Sequence, residues 1–209
     1  DSLLFTSHLK SSTVLGGQPG DGGSALDGDE SIYVGGSISG VLAAGNYGQD
    51  TLSVTGSAVA SSLYGGSGND ILSIDSVMSS GVLYGNSGND TVNVGGSLAG
   101  GASIYGGDGT NAGDEDTDSI SVSAINSGYI WTDQGADTVV VNGVAKNASI
   151  YGGSGADTLS IGGSMSAGRI EGGTEADSII VASTVLGGAS IFGGGGANDG
   201  ADLISLDGG

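Results

Sequence analysis

The sequence predicts an all-β fold, a right-handed parallel β-helix or β-roll-like solenoid of about nine coils. Three observations carry this. An acidic residue returns at Glu30, Asp50, Asp70, Asp90, Asp118, Asp137, Asp157, Asp177 and Asp202, in steps of 20, 20, 20, 28, 19, 20, 20 and 25 residues. An aliphatic residue stands two positions after each acid (Ile32, Leu52, Leu72, Val92, Ile120, Val139, Leu159, Ile179, Ile204) and another four positions after (Val34, Val54, Ile74, Val94, Val122, Val141, Ile161, Val181, Leu206). No window carries apolar residues at helical spacing without a glycine interrupting it.

A fixed period near twenty marks a solenoid, in which each repeat buries its apolar face only against its neighbours. Spacing of two along a strand puts both aliphatic residues on one face. Recurrence in each coil then stacks them into two interior ladders. Nine coils at a strand spacing of about 4.8 Å give a rod on the order of 40 Å long.

Taken in order, residues 1–14 lie outside the repeat and hold His8, Lys10 and Phe5. They read as an N-terminal cap or lead-in strand, because solenoid ends need covering. Residues 15–209 read as one solenoid domain. Its first coil, 15–34, is irregular, with turns over Pro19-Gly20-Asp21-Gly22-Gly23. From residue 35 to 105 the repeat is regular. A second strand precedes each glycine turn: Leu63-Tyr64, Leu83-Tyr84, Ile104-Tyr105, Ile130-Trp131, Ile150-Tyr151, Ile170-Glu171 and Ile191-Phe192. The aliphatic member should point inward and its neighbour outward. Eight positions after the acid, Ile38, Met78, Leu98, Met165 and Val185 suggest a third inward contact. Two insertions, Asp108 to Asp116 and Gly195 to Gly200, should form loops on one side. The final Asp207-Gly208-Gly209 reads as the opening of a further turn, so the parent chain is expected to continue.

Composition narrows the function. There are 46 glycines among 209 residues without a Gly-X-Y triplet, which excludes collagen. Twenty-three acids against three Lys and Arg give a formal charge of −20. Nucleic acid and anionic membranes, which need basic partners, are excluded as ligands. No apolar run is long enough for a membrane span, so membrane insertion is not expected. No cysteine is present, so neither disulfides nor thiolate metal sites are available. A compact chain at −20 repels itself, and cations would relieve that repulsion.

The acids end glycine turns. Gly65-Gly66-Ser67-Gly68-Asn69-Asp70-Ile71-Leu72-Ser73 and Gly152-Gly153-Ser154-Gly155-Ala156-Asp157-Thr158-Leu159-Ser160 both follow G-G-x-G-x-D-x-U-x. The turn at Gly85, Gly88 and Asp90 departs only at Asn86, and that at 45–53 only at Asn46. In these residues the chain resembles the RTX (repeats-in-toxin) calcium-binding family, in a variant with about 20 residues per coil and one such turn per coil. The resemblance implies Ca2+ held between adjacent coils by turn carbonyls and Asp side chains. The implied ligands lie at Asp50, Gly65, Gly66, Gly68, Asp70, Gly85, Gly88, Asp90, Asp118, Asp137, Gly152, Gly153, Gly155, Asp157, Asp177 and Asp202. Calcium takes six to eight oxygens with loose geometry, and stacked carboxylates without an ion would repel. A turn in which Asp bonds only its own backbone is the plainer reading. Asp114-Glu115-Asp116-Thr117-Asp118 begins like an EF-hand loop but lacks its later glycine and glutamate.

These observations lead to an expectation of a non-catalytic, extracellular structural module, a calcium-rigidified solenoid of a surface layer, filament or adhesin. Tyr64, Tyr84, Tyr105, Trp131, Tyr151 and Phe192 would form an exterior ladder that either stacks on itself or meets neighbouring copies, other surface proteins or glycans. The alternatives are a phage fibre or surface-decoration segment, an ice- or glycan-binding adhesin repeat, and, least favoured, a polysaccharide-active β-helix enzyme. His8, Lys10, Lys146 and Arg169 are scattered, and no nucleophile–base motif appears.

Overall fold

A computed structural model of the chain describes residues 2–17, 28–107 and 116–208, with only the backbone described for 196–198. The expected turns over Pro19–Gly23, most of the first insertion and the start of the EF-hand-like stretch lie outside these residues. The described chain is all β, wound as a right-handed parallel β-solenoid.

Each coil contributes to three faces. The first face is the most regular. Ser31–Val34, Thr51–Val54 and Ile71–Ile74 pair in parallel, followed by residues 91–94, 119–122, Thr138–Val141, Thr158–Ile161, Ser178–Val181 and Leu203–Leu206. The leading segment extends this face, because Ser2–Phe5 pairs in register with Ser31–Val34. Leu9–Lys10 and Thr13–Leu15 add strands to the second and third faces in the same way. The pairing Ile71↔Thr51 and Ile71↔Thr91 shows residues one period apart as neighbours.

The irregular steps leave this face untouched. Thr91 pairs Ser119 across 28 residues and Ser178 pairs Leu203 across 25. The extra residues fall between the third face and the acid, so the strands stay aligned while the turn lengthens.

Both aliphatic ladders point inward and are buried from Ile32 and Val34 to Ile179 and Val181. Ile38, Met78, Leu98 and Met165 are buried beneath the second face, while Val185 is half-buried. Leu63, Leu83, Ile104, Ile130, Ile150 and Ile170 close the core from the third. Ile204 and Leu206 end the ladders with exposures of 41% and 53%, since a coil packs on one side of them only. The corner between the second and third faces turns through the left-handed region at Gly40, Ala60, Ser80, Gly100, Asn147 and Ala167, with φ of 44–61°.

Candidate metal-binding turns

The chain leaves the third face, crosses a glycine turn and re-enters the first face at the acid. This geometry places Asp50, Asp70, Asp90, Asp118, Asp137, Asp157 and Asp177 in one file, each only 1–2% exposed. Asp202 continues it, accepting the Asp177 N–H on Oδ1 at 3.0 Å.

Each carboxylate has one occupied and one unoccupied side. Asp50 N–H donates to Asp70 Oδ1 at 2.7 Å, Asp70 N–H to Asp90 Oδ1 at 2.7 Å, and Asp90 N–H to Asp118 Oδ1 at 2.8 Å. The same bond recurs from Asp118 to Asp137, Asp137 to Asp157 and Asp157 to Asp177. The Oδ2 atoms of Asp70, Asp90, Asp118, Asp157 and Asp177 are buried without a hydrogen bond. A buried carboxylate oxygen left unsatisfied is costly, and such atoms in folded proteins mark a missing proton, water or ion.

The first glycine of the turn explains what lies beside that oxygen. A Cβ added to Gly65 would stand 2.3 Å from Asp70 Oδ2 and 2.8 Å from the carbonyl oxygen of Gly85 in the next coil. At Gly85 the distances are 2.2 Å to Asp90 Oδ2 and 2.6 Å to the Gly106 carbonyl; at Gly152 they are 2.2 Å to Asp157 Oδ2 and 2.4 Å to the Gly172 carbonyl. Glycine therefore keeps open a spot with a carboxylate oxygen and a carbonyl oxygen on either side, at separations near the 2.3–2.6 Å of calcium–oxygen bonds. Gly45, Gly106, Gly172 and Gly193 play the same part, each against the acid of its own turn.

The next positions of the turn need positive φ. Gly66, Gly68, Gly88, Gly153 and Gly155 have φ of 114–126°. Asn46 and Asn86 take the place of Gly66 at φ 86° and 78°, a conformation that Asn tolerates better than most residues. The carbonyls of Asn46 and Gly48 project toward Gly66 and Gly68 of the following coil, adding backbone oxygens to the same edge.

Burial is the first cause that raises the carboxyl pKa values. The backbone N–H bond lowers each, and the neighbouring acids raise it again. Asp90 is pushed up to about 8, Asp70, Asp118, Asp137 and Asp157 to about 7, and Asp177 to about 6. Among the described residues no cluster gathers three His, Cys, Asp or Glu side chains. A cation here would be held by one carboxylate per coil and by backbone carbonyls, a donor set that suits a hard ion such as calcium. On this donor set the residues fit the ion.

The sequence pattern placed the acids and the turn glycines correctly on one edge. Position 132 escaped it, where Thr replaces the open glycine. The signal was available: aligning each turn on its acid puts Thr132 in the column of Gly65 and Gly152.

The exterior aromatic ladder is present and half-buried. Tyr64 and Tyr84 stack at 5.1 Å with planes 5° apart, and Tyr84 and Tyr105 at 4.7 Å with planes 11° apart. Tyr129, not foreseen as a member, bridges Tyr105 and Tyr151 at 5.6 and 5.5 Å, while Trp131 meets Tyr105 edge-on at 6.3 Å. Arg169 pairs with Glu171 at 2.6 Å and lies 4.3 Å over the Phe192 ring, and His8 Nδ1 accepts the Ser37 N–H.

No family model matches the chain, and no curated protein or solved structure matches it either.

Proposed function

We propose that this chain is a non-catalytic, extracellular structural module, stiffened by calcium ions seated between successive glycine turns. The carrying observation is the repeated open spot between a buried, unbonded Asp Oδ2 and the next coil's carbonyl. The likeness of the turns to RTX repeats supports calcium as the ion, and a medium rich in calcium is the setting in which such a file fills. Without ions, seven buried acids one coil apart repel. With ions, the same file ties each coil to the next. The fold itself is a regular rod, which suits a surface layer, filament or adhesin. Arg169 and His8 are engaged in local contacts, which supports a structural rather than a catalytic reading.

The ladder from Tyr64 to Tyr151 is the surface offered to neighbouring copies, other surface proteins or glycans. Because Tyr64, Tyr84 and Tyr105 cover one another's ring faces, mainly edges and hydroxyls remain for a partner. That favours hydrogen-bonded protein contacts over sugar stacking.

The test is calcium titration into chelated protein at pH 8, followed by circular dichroism and thermal unfolding. The expected result is a large gain in β signal and melting temperature on adding calcium. A spectrum and melting point indifferent to calcium would overturn the reading.

A further inference from the structure

The file of turns is not uniform. Gly45, Gly65, Gly85, Gly106, Gly152, Gly172 and Gly193 each lack the side chain that would enter the spot beside their own acid. At the Asp137 level the corresponding residue is Thr132, and it is fully buried. Its Cβ and hydroxyl necessarily project where the glycines leave space. The hydroxyl donates to the Gly152 carbonyl at 2.6 Å, the carbonyl equivalent to Gly85 beside Asp70 and Gly172 beside Asp157. It also lies close enough to the Asp137 carboxyl to offset part of the upward pull of burial on that group. One side chain thus occupies the spot, satisfies the carbonyl and touches the carboxyl.

Resting on the calcium reading above, we infer that the Thr132 side chain stands in for an ion at the Asp137 level, so that the file is broken there into two calcium blocks. One block runs through Asp70, Asp90 and Asp118, and the other through Asp157 and Asp177. The chemical logic is substitution of a neutral donor for a cation. At other levels the carbonyl and carboxylate oxygens both face the open spot and need a positive partner. At this level an O–H fills the gap and donates to the carbonyl, and a cation would have to displace a buried, hydrogen-bonded methyl-bearing side chain.

The break is a property of this chain's residue 132 and is reversible by one substitution. Thr132→Gly empties the spot and recreates the arrangement at Gly65 and Gly152. The experiment measures bound calcium per chain by equilibrium dialysis with elemental analysis, on the full chain at saturating calcium. Thr132→Gly is expected to bind one more ion than the parent. Thr132→Ser, which keeps the hydroxyl, is expected to bind the same number as the parent. Equal or lower occupancy in Thr132→Gly, with the parent binding calcium, would overturn the inference alone. If neither parent nor variant binds calcium, the broader reading falls and this one with it. Circular dichroism on each variant in calcium confirms that the counts come from folded chains.

Discussion

Leu72 and Asp70 stand two residues apart, repeat in every coil and are both removed from water, at 0% and 1% exposure. Their files nevertheless behave in opposite ways. The aliphatic file needs nothing beyond contact: each side chain stacks on its like, and the hydrophobic effect rewards each coil added. The acid file gains one backbone hydrogen bond per coil but leaves one oxygen with an unmet demand and a like charge next door. One file sets the architecture, and the other makes that architecture conditional on what neutralises it. The difference teaches where conditional stability is built into a repeat: at its turns, not its core.

The pH dependence of chelated protein is the broadest way to break this comparison. Each carboxyl binds its proton more tightly folded than unfolded, from an ordinary value of 3.8 up to about 7 for Asp70 and about 8 for Asp90. The protonated acids therefore support the fold fully below about pH 4, and that support is lost as pH rises through about 6 to 8. Melting temperature in chelator is expected to fall steadily across this window. In saturating calcium the trend should flatten or reverse, because the ion needs the deprotonated form. A melting temperature that rises with pH in chelator would show that the file is not strained.

A single core deletion measures the unconditional file. Leu72→Ala removes a fully buried side chain between two others of its ladder and should cost about 2–5 kcal/mol. The loss, read from urea denaturation, should be the same with calcium and in chelator at pH 5. A loss present only in calcium would mean the two files are not separable.

The matching change in the acid file should reverse sign with conditions. Asp90→Asn keeps the Oδ1 acceptor for the Asp70 N–H and gives the other arm a donor facing the Gly106 carbonyl. In chelator at pH 8 the variant should be more stable than the parent by about 1–3 kcal/mol, since a buried unsatisfied group and a charge are both removed. In calcium it should be less stable, having lost a ligand. Equal effects in both solutions would remove the ion from the account.

The contrast also explains what was legible before the structure. The two aliphatic ladders and the acid file were readable because side-chain direction in a strand alternates strictly, so a period of 20 fixes who stacks on whom. The leading segment hid its part in the solenoid because 29 residues separate Ser2 from its partner Ser31, so no repeat is visible there. Thr132 was passed over because a glycine-rich pattern is judged by its glycines, whereas the function of this one lies in the space its missing side chain leaves. Tyr129 joins the aromatic ladder from the position two residues before Trp131, a place held by Ser or Val in most coils, so no column announced it.

The smallest expected effect concerns a third file, which lies outside the core and carries no net charge. Tyr84 is sandwiched between Tyr64 and Tyr105, whereas Tyr33 sits on the first face at 40% exposure. Aromatic pairs add about 0.5–1.5 kcal/mol beyond the area they bury. Tyr84→Ala should therefore cost on the order of 1–2 kcal/mol, and Tyr33→Ala should stay within about 0.5 kcal/mol of the parent. Both measurements belong in calcium, where the acid file is satisfied and does not dominate the transition. If the two substitutions prove equal, the rings contribute no more than ordinary surface. Their regular stacking would then point to an outside partner rather than to the rod, and light scattering of Tyr84→Ala against the parent would register the lost association.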